Sequence, residues 1–230
     1  KVERTGRLST VFFNLARHPK LVQTVRNLIG RDLLLFRSTL MFKPAFHGSA
    51  HGLHQDSAYW PMNPPSLITV SIALNDATPE NGCLQVVPGS HVGKVLTHCP
   101  GFNPKTGELV QGLNAGGLQI PTTLFESDDA MAVPMKKGDA LFLTKKTVHS
   151  ALPNISDKIR WSFDLRYQPI GEPTGRDIFP GFVARSKKNP EDVLYDPQIW
   201  HDMWQDARDN LAKEEQFAFN RWDGDDPACA

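Results

Sequence analysis

Between residues 32 and 168 the chain breaks into short runs of β-forming residues, each closed by a turn, and this rhythm excludes most helical architectures. Leu33-Leu34-Leu35-Phe36 and Leu40-Met41-Phe42 bracket Arg37-Ser38-Thr39 and read as one strand ending at Lys43-Pro44. Ser66 to Leu74, Cys83 to Val87, Ala140 to Thr144 and Ile159 to Tyr167 are further runs of this kind. The turns between them draw on 18 prolines and 17 glycines. The pattern predicts a mainly β fold with flanking helices, a β-sandwich or jelly roll.

Helical spacing is confined to the flanks. Val11, Phe12, Leu15 and Ala16 follow Ser9-Thr10, a candidate cap. Leu21, Val22, Val25, Leu28 and Ile29 follow Pro19 at helical spacing, and Gly30 supplies a stop. Near the other end Asp196 is placed to cap a helix with Pro197 in its first position. Trp200, Trp204, Ala207 and Leu211 make its apolar stripe, read as core packing. The expected organisation is one domain over residues 1–230: a helical part at 8–30, a jelly-roll core at 32–168 and an extension with a helix at 169–230. Residues 94–130 lack periodicity and carry Pro100-Gly101 and Asn114-Ala115-Gly116-Gly117, as expected of a functional lid or mobile insertion. The chain opens on Lys1 in helix-like sequence, from which an upstream segment is expected.

Composition narrows the function classes. With 25 basic and 25 acidic residues no global field recruits nucleic acid or an anionic membrane. There is no apolar run of about 18 residues and no signal-peptide pattern, so no membrane span is expected. Cys83, Cys99 and Cys229 are odd in number and lack CxxC spacing, which argues against a disulfide scaffold or cysteine zinc site and predicts a reducing, cytoplasmic setting.

The chemistry concentrates in His54-Gln55-Asp56 and in the distant His149. On a strand, residues i and i+2 share a face, so His54 and Asp56 would reach one point while Gln55 faces outward. Two imidazoles and a carboxylate make the facial triad that suits non-haem Fe(II) with positions left open for a co-substrate and O₂. Arg160 stands eleven residues after His149, on what reads as the next strand, where a guanidinium suits the far carboxylate of a keto-diacid. His51, three residues before His54, should point to the opposite face, yet is the other histidine most expected in a substrate pocket. His18, His47, His91, His98 and His201 read as structural or surface groups. Tyr59 and Trp60 are placed at the pocket mouth, with barrel packing an equal alternative. Arg37, Thr39, Met41 and Lys43 alternate with Phe36, Ser38, Leu40 and Phe42, and the first set is assigned to the cavity because burying long polar chains on the outer face is costly. Asn75, ending a strand expected to run toward the metal, is assigned there too.

The stretch His54-Gln55-Asp56-Ser57-Ala58-Tyr59-Trp60-Pro61, with Asn75-Asp76, Asn81-Gly82-Cys83-Leu84 and Pro88-Gly89-Ser90-His91, resembles the phytanoyl-CoA hydroxylase family of Fe(II)/2-oxoglutarate-dependent dioxygenases. The segment His149-Ser150-Ala151-Leu152-Pro153-Asn154 through Arg160 to Arg166-Tyr167 is similar to that family's distal-histidine and 2-oxoglutarate strand. The resemblance implies a double-stranded β-helix (jelly-roll, cupin-like), with His54, Asp56 and His149 as iron ligands and Arg160 on the C5 carboxylate of 2-oxoglutarate. It implies consumption of O₂, release of succinate and CO₂, and hydroxylation of an unactivated C–H bond in a small organic or lipid-like substrate. Desaturation, ring closure and epimerisation would use the same ligands, whereas the carboxylate of Asp56 argues against halogenation. Where the family often carries a serine that helps hold 2-oxoglutarate, this chain has Ala151, so the assisting hydroxyl falls to Thr39 or Ser150. The alternative is a cupin-like metal-binding isomerase or sensor without oxygenase activity, which has no need of Arg160.

Overall fold

A computed structural model describes residues 2–3, 9–46, 48–59, 66–100, 118–121, 124, 127–174 and 179–213. Among these the strands run β1 (Val2–Glu3), β2 (Leu33–Lys43), β3 (His51–His54), β4 (Ile68–Ala73), β5 (Leu84–Val86) and β6 (Cys99–Pro100). They continue with β7 (Leu118–Gln119), β8 (Met131–Val133), β9 (Ala140–Thr144), β10 (His149–Ala151), β11 (Arg160–Pro169) and β12 (Phe182–Arg185). The helices are α1 (Thr10–Ala16), α2 (Pro19–Ile29) and α3 (Pro197–Leu211). The larger antiparallel sheet has the order β1-β2-β11-β4-β9, with β12 also on β2; the smaller has the order β3-β10-β5-β8, and β6 pairs with β7. Mainly β with two facing sheets and outer helices, this is the expected jelly roll.

The sheets are two-faced because side chains alternate along a strand and residues directly opposite on neighbouring strands share a face. On β11, Phe163, Leu165 and Tyr167 are fully buried. They join Leu33, Leu35, Val70 and Ile72 of the same sheet with Phe13, Val25, Trp200 and Trp204 of the helices in one core cluster. The Tyr167 hydroxyl donates to the carbonyl of Ala16, which ties α1 to the sheet. Asp196 caps α3 by accepting from the Gln198 amide at 2.8 Å, with Pro197 in its first turn. Ser9 is the N-cap of α1, but its hydroxyl makes no capping bond. Val11 is 74 % exposed rather than part of the apolar face, since the short helix turns Phe13 and Ala16 inward.

Of the 94–130 segment, residues 94–100, 118–121, 124 and 127–130 are described, and its strands are tied into the fold, not free of it: β6 pairs with β7, and Ile120 donates to Leu53. No helix among the described residues is long and apolar enough to cross a membrane. Cys83 is free and buried, but Cys99 is disulfide-bonded, so the cysteine pattern no longer argues for a reducing compartment.

Candidate metal centre

β3 and β10 run antiparallel with His54 directly opposite His149, which places both imidazoles on one face with ring centroids 4.2 Å apart. Asp56 is not on the strand; it opens the 3₁₀ turn Asp56–Ala58, and its side chain turns back toward the pair. One ligand atom from each of His54, Asp56 and His149 lies within 4.8 Å of the others, and all three residues are buried. His54 Nδ1 lies 2.9 Å from the Gly52 carbonyl and His149 Nδ1 lies 2.9 Å from that of Thr147. A carbonyl only accepts, so each Nδ1 carries a hydrogen, and each ring presents its Nε2 to the shared point.

The charges suit a divalent ion. Burial, then the neighbouring His149 and His51, hold His54 well below the ordinary histidine range, so it is neutral. Burial would raise Asp56, but Arg166, His149, His54 and a hydrogen bond from Thr69 outweigh it and hold the carboxyl well below its usual range. The Asp56 Oδ2 atom accepts from Thr69 Oγ1 at 2.5 Å and has Arg166 Nη2 at 3.9 Å. Oδ1 lies 4.0 Å from His149 Nε2.

Two readings around the motif are corrected. Gln55 does not face outward: it is fully buried, its amide donating to the carbonyls of Lys94 and Lys146 and accepting from Leu96 N–H. Its own N–H donates to His98 Nε2 at 2.8 Å, so His98 is a structural group, as expected, though a buried one. The turn that lets Asp56 swing back also drives Gln55 under the 94–98 segment. His51 does not point away from His54; their rings lie 4.5 Å apart. Three steps on β3 from His51 to His54 face two steps on β10 from Ala151 to His149, and this bulge cancels the expected alternation.

The inner face of the larger sheet lines the site. Arg160, Ser162, Asp164 and Arg166 of β11 stand opposite Lys43, Met41, Thr39 and Arg37 of β2, which puts that odd-numbered set on the cavity face. Arg160 is 4 % exposed; its Nη1 donates to Ser162 Oγ at 3.3 Å, and its buried Nε has no partner among the described residues. Lys43 donates to the carbonyls of Ser49, Ala151 and Leu152, and burial, then the Arg160 charge, push its pKa to about 8. Gly82 is required beside it: its φ is +86°, and a Cβ would meet the Leu152 carbonyl at 2.6 Å. The buried Thr39 hydroxyl has no partner among the described residues.

Two other assigned residues fall differently. Ser150 lies between His149 and Ala151, so alternation turns it to the other face, where its hydroxyl donates to Gln85 at 3.2 Å. Asn75 is outside the cavity: it donates to the Ile159 carbonyl, accepts from Trp161 N–H and lines a separate surface cavity of about 340 Å³. β4 starts beside the His54, Asp56 and His149 cluster, where Thr69 meets Asp56, and runs away from it, the reverse of the expected direction. Tyr59 sets its ring edge against His54 at 5.8 Å while its hydroxyl donates to the Leu118 carbonyl. Trp60 and His47 lie outside the described residues. Thr69 and Arg166 went unassigned in the sequence. Arg166 has a signal in the period-two run of polar residues through Arg160, Ser162, Asp164 and Arg166, whereas Thr69, on another strand, has none there.

Comparison with known proteins agrees with this geometry. The family model described as phytanoyl-CoA dioxygenase (PhyH) matches residues 1–162. The chain belongs to the phytanoyl-CoA dioxygenase family. A probable phytanoyl-CoA dioxygenase of Caenorhabditis elegans is 29 % identical over 165 residues, covering 68 % of this chain and 50 % of its own. An ectoine dioxygenase of Nocardia farcinica is 28 % identical over 192 residues, covering 76 % of this chain and 63 % of its own. The chain thus spans about half to just under two thirds of these relatives. Among solved structures, the non-heme monooxygenase ThoJ in its apo form superposes with a TM-score of 0.70 at 22 % identity, over 91 % of this chain and 74 % of that one, and shows the shared fold. The epimerase SnoN, solved with Fe3+, alpha ketoglutarate and nogalamycin RO, is 25 % identical with a TM-score of 0.56, over 76 % of this chain and 66 % of that one.

Proposed function

We propose that this chain is a non-haem Fe(II)/2-oxoglutarate-dependent dioxygenase, its residues 1–230 forming one such domain, acting on a C–H bond of a small organic or lipid-like substrate. The observation that carries the reading is the convergence of His54 Nε2, His149 Nε2 and an Asp56 oxygen at one buried point, with Arg160 on the same cavity wall. The donor set fits: two imidazoles and one carboxylate suit a borderline divalent ion and leave positions open. The co-substrate site fits as well. A buried guanidinium with an unpartnered Nε is costly unless an anion meets it, and no carboxylate lies at ion-pair distance among the described residues.

In this reading His54, Asp56 and His149 hold the iron, and Arg160 grips the distal carboxylate of 2-oxoglutarate with the Thr39 hydroxyl on the same wall. When bound, the iron and 2-oxoglutarate supply oxidation by O₂ with release of succinate and CO₂. The chain positions the target carbon and keeps water from the centre. Relatives named for ectoine and hypophosphite, and the neighbour solved with nogalamycin RO, are the support for a small-molecule substrate. A metal-binding sensor or isomerase would leave Arg160 without a purpose.

The test is anaerobic addition of Fe(II) and then 2-oxoglutarate. A weak visible charge-transfer band needing both components is expected in the wild type and lost in His149→Ala. A succinate assay against a substrate panel follows, and a chain that binds neither component sinks the reading.

A further inference from the structure

We propose that Thr69 and Arg166 form a clasp on the outer oxygen of Asp56, and that this clasp keeps the carboxylate bound to the metal through one oxygen only. The inference rests on the metal-centre reading above and adds to it the residues that hold a coordination position open.

The geometry divides the two oxygens of Asp56 between different tasks. Oδ1 is the one turned to the histidines, 4.0 Å from His149 Nε2. Oδ2 takes the Thr69 hydroxyl at 2.5 Å and the Arg166 guanidinium at 3.9 Å. Thr69 on β4 and Arg166 on β11 are themselves directly opposite across the ladder, so sheet register delivers both groups to one spot on the inner face. Thr69 supplies direction through a hydrogen bond and Arg166 supplies charge. Asp56 belongs to the turn after β3, so the clasp also ties the smaller sheet's metal motif to the larger sheet.

Denticity decides what else the metal can hold. Three protein atoms on a six-coordinate ion leave three positions, two for a chelating keto acid and one for O₂. If Oδ2 swung onto the metal, only two would remain, and the co-substrate would compete with the carboxylate. A clasped Oδ2 cannot swing. The consequence differs from that of a residue that merely neutralises a buried charge: loosening the clasp should weaken 2-oxoglutarate more than it weakens the metal.

The test uses Mn(II), which binds without turning over, on the whole chain. Loss of the free Mn(II) paramagnetic resonance signal reports metal binding, and calorimetry on the Mn(II)-loaded protein reports 2-oxoglutarate. Thr69→Val keeps the branched shape and removes the donor. It is expected to hold Mn(II) within a few-fold of wild type and to bind 2-oxoglutarate about tenfold or more weakly, the scale of one hydrogen bond to a charged group, with Arg166→Gln at least as weak. Thr69→Ser should restore wild-type binding. Because both groups act on one oxygen, the double variant should fall short of the product of the single effects. Unchanged 2-oxoglutarate affinity in both single variants, or multiplying effects in the double, would overturn the clasp. Wild-type protein that takes up no Mn(II), or Asp56→Ala that takes it up equally well, would instead overturn the metal centre and the clasp with it.

Discussion

The two faces of β11 show how this molecule divides stability from chemistry. One face carries Phe163, Leu165 and Tyr167, each fully buried against the helices and the neighbouring strands. The other carries Arg160, Ser162, Asp164 and Arg166, a polar row pointed into the barrel. Asp164 accepts from Ser71 at 2.7 Å and Arg166 faces Asp56, so even charged groups on that side are held by partners on other strands. Arg160 stands apart, a guanidinium whose one side-chain hydrogen bond among the described residues is to Ser162 at 3.3 Å. A single strand can do both jobs because its side chains alternate with period two. The lesson is that the outer face buries mainly apolar side chains against the helices, while the inner face places polar groups where a ligand completes them.

The largest effect should come from the outer face. Phe163→Ala removes a ring that packs tilted against Phe12 at 4.8 Å and lies in the main core, and it should cost roughly 3–5 kcal/mol in denaturant unfolding. Mn(II) affinity per folded molecule should stay as in wild type. If affinity fell with stability, the two faces would not be separable.

On the inner face the sign reverses. Arg160→Gln should weaken 2-oxoglutarate binding to the metal-loaded protein by about 1.5–3 kcal/mol, the range for hydrogen bonds to charged groups. Stability should hold or rise, since a buried guanidinium without a carboxylate at ion-pair distance among the described residues is removed. Arg160→Lys should not rescue fully, because an ammonium lacks the planar fork. Calorimetry and thermal melts together check both halves, and a loss of stability equal to the loss of binding would contradict the division.

How far the sequence shows this arrangement depends on whether a property belongs to one strand or to two. The metal triad is legible because His54 and Asp56 are close in the chain and His149 lies in a second recognisable segment. The inward set on β2 is legible because Arg37 and Lys43 on an outer face would be buried among apolar groups. The orientation of His51 is not legible: it follows from a bulge that exists only in the register of β3 against β10. The same holds for Thr69, whose role depends on standing opposite Arg166. Gln55 misled because a strand was assumed to continue where a 3₁₀ turn begins. The direction of β4, and with it Asn75, depended on topology that no single run encodes.

Lys43 allows a pH test of the inner face. Its folded pKa is lowered to about 8 from an ordinary 10.5, with burial the main cause and Arg160 the second. Below about pH 8 folded and unfolded chains both carry this proton. Between about 8 and 10.5 the unfolded chain holds a proton that the folded chain has released, so this group makes stability rise with pH across that window. Lys43→Met should flatten that rise when unfolding midpoints are compared at pH 7.5 to 10 (buffer steps of about half a unit within the window). A difference between variant and wild type that does not change with pH would show that the folded lysine keeps its proton.

The smallest effect gives the sharpest version of the comparison, because it moves one residue along a strand instead of across the barrel. Ser150 sits between His149 and Ala151, yet its hydroxyl faces Gln85 on β5. Ser150→Ala removes one hydrogen bond and should cost about 0.5–1.5 kcal/mol of stability. Mn(II) and 2-oxoglutarate affinities should move by no more than about twofold, the scale of a substitution away from the site. The bond partner offers a cross-check: Gln85→Ala should reproduce the same stability loss, and the double variant should add little. A tenfold loss of 2-oxoglutarate affinity in Ser150→Ala alone would mean that this hydroxyl reaches the co-substrate, and that alternation on β10 does not assign its residues to one side or the other.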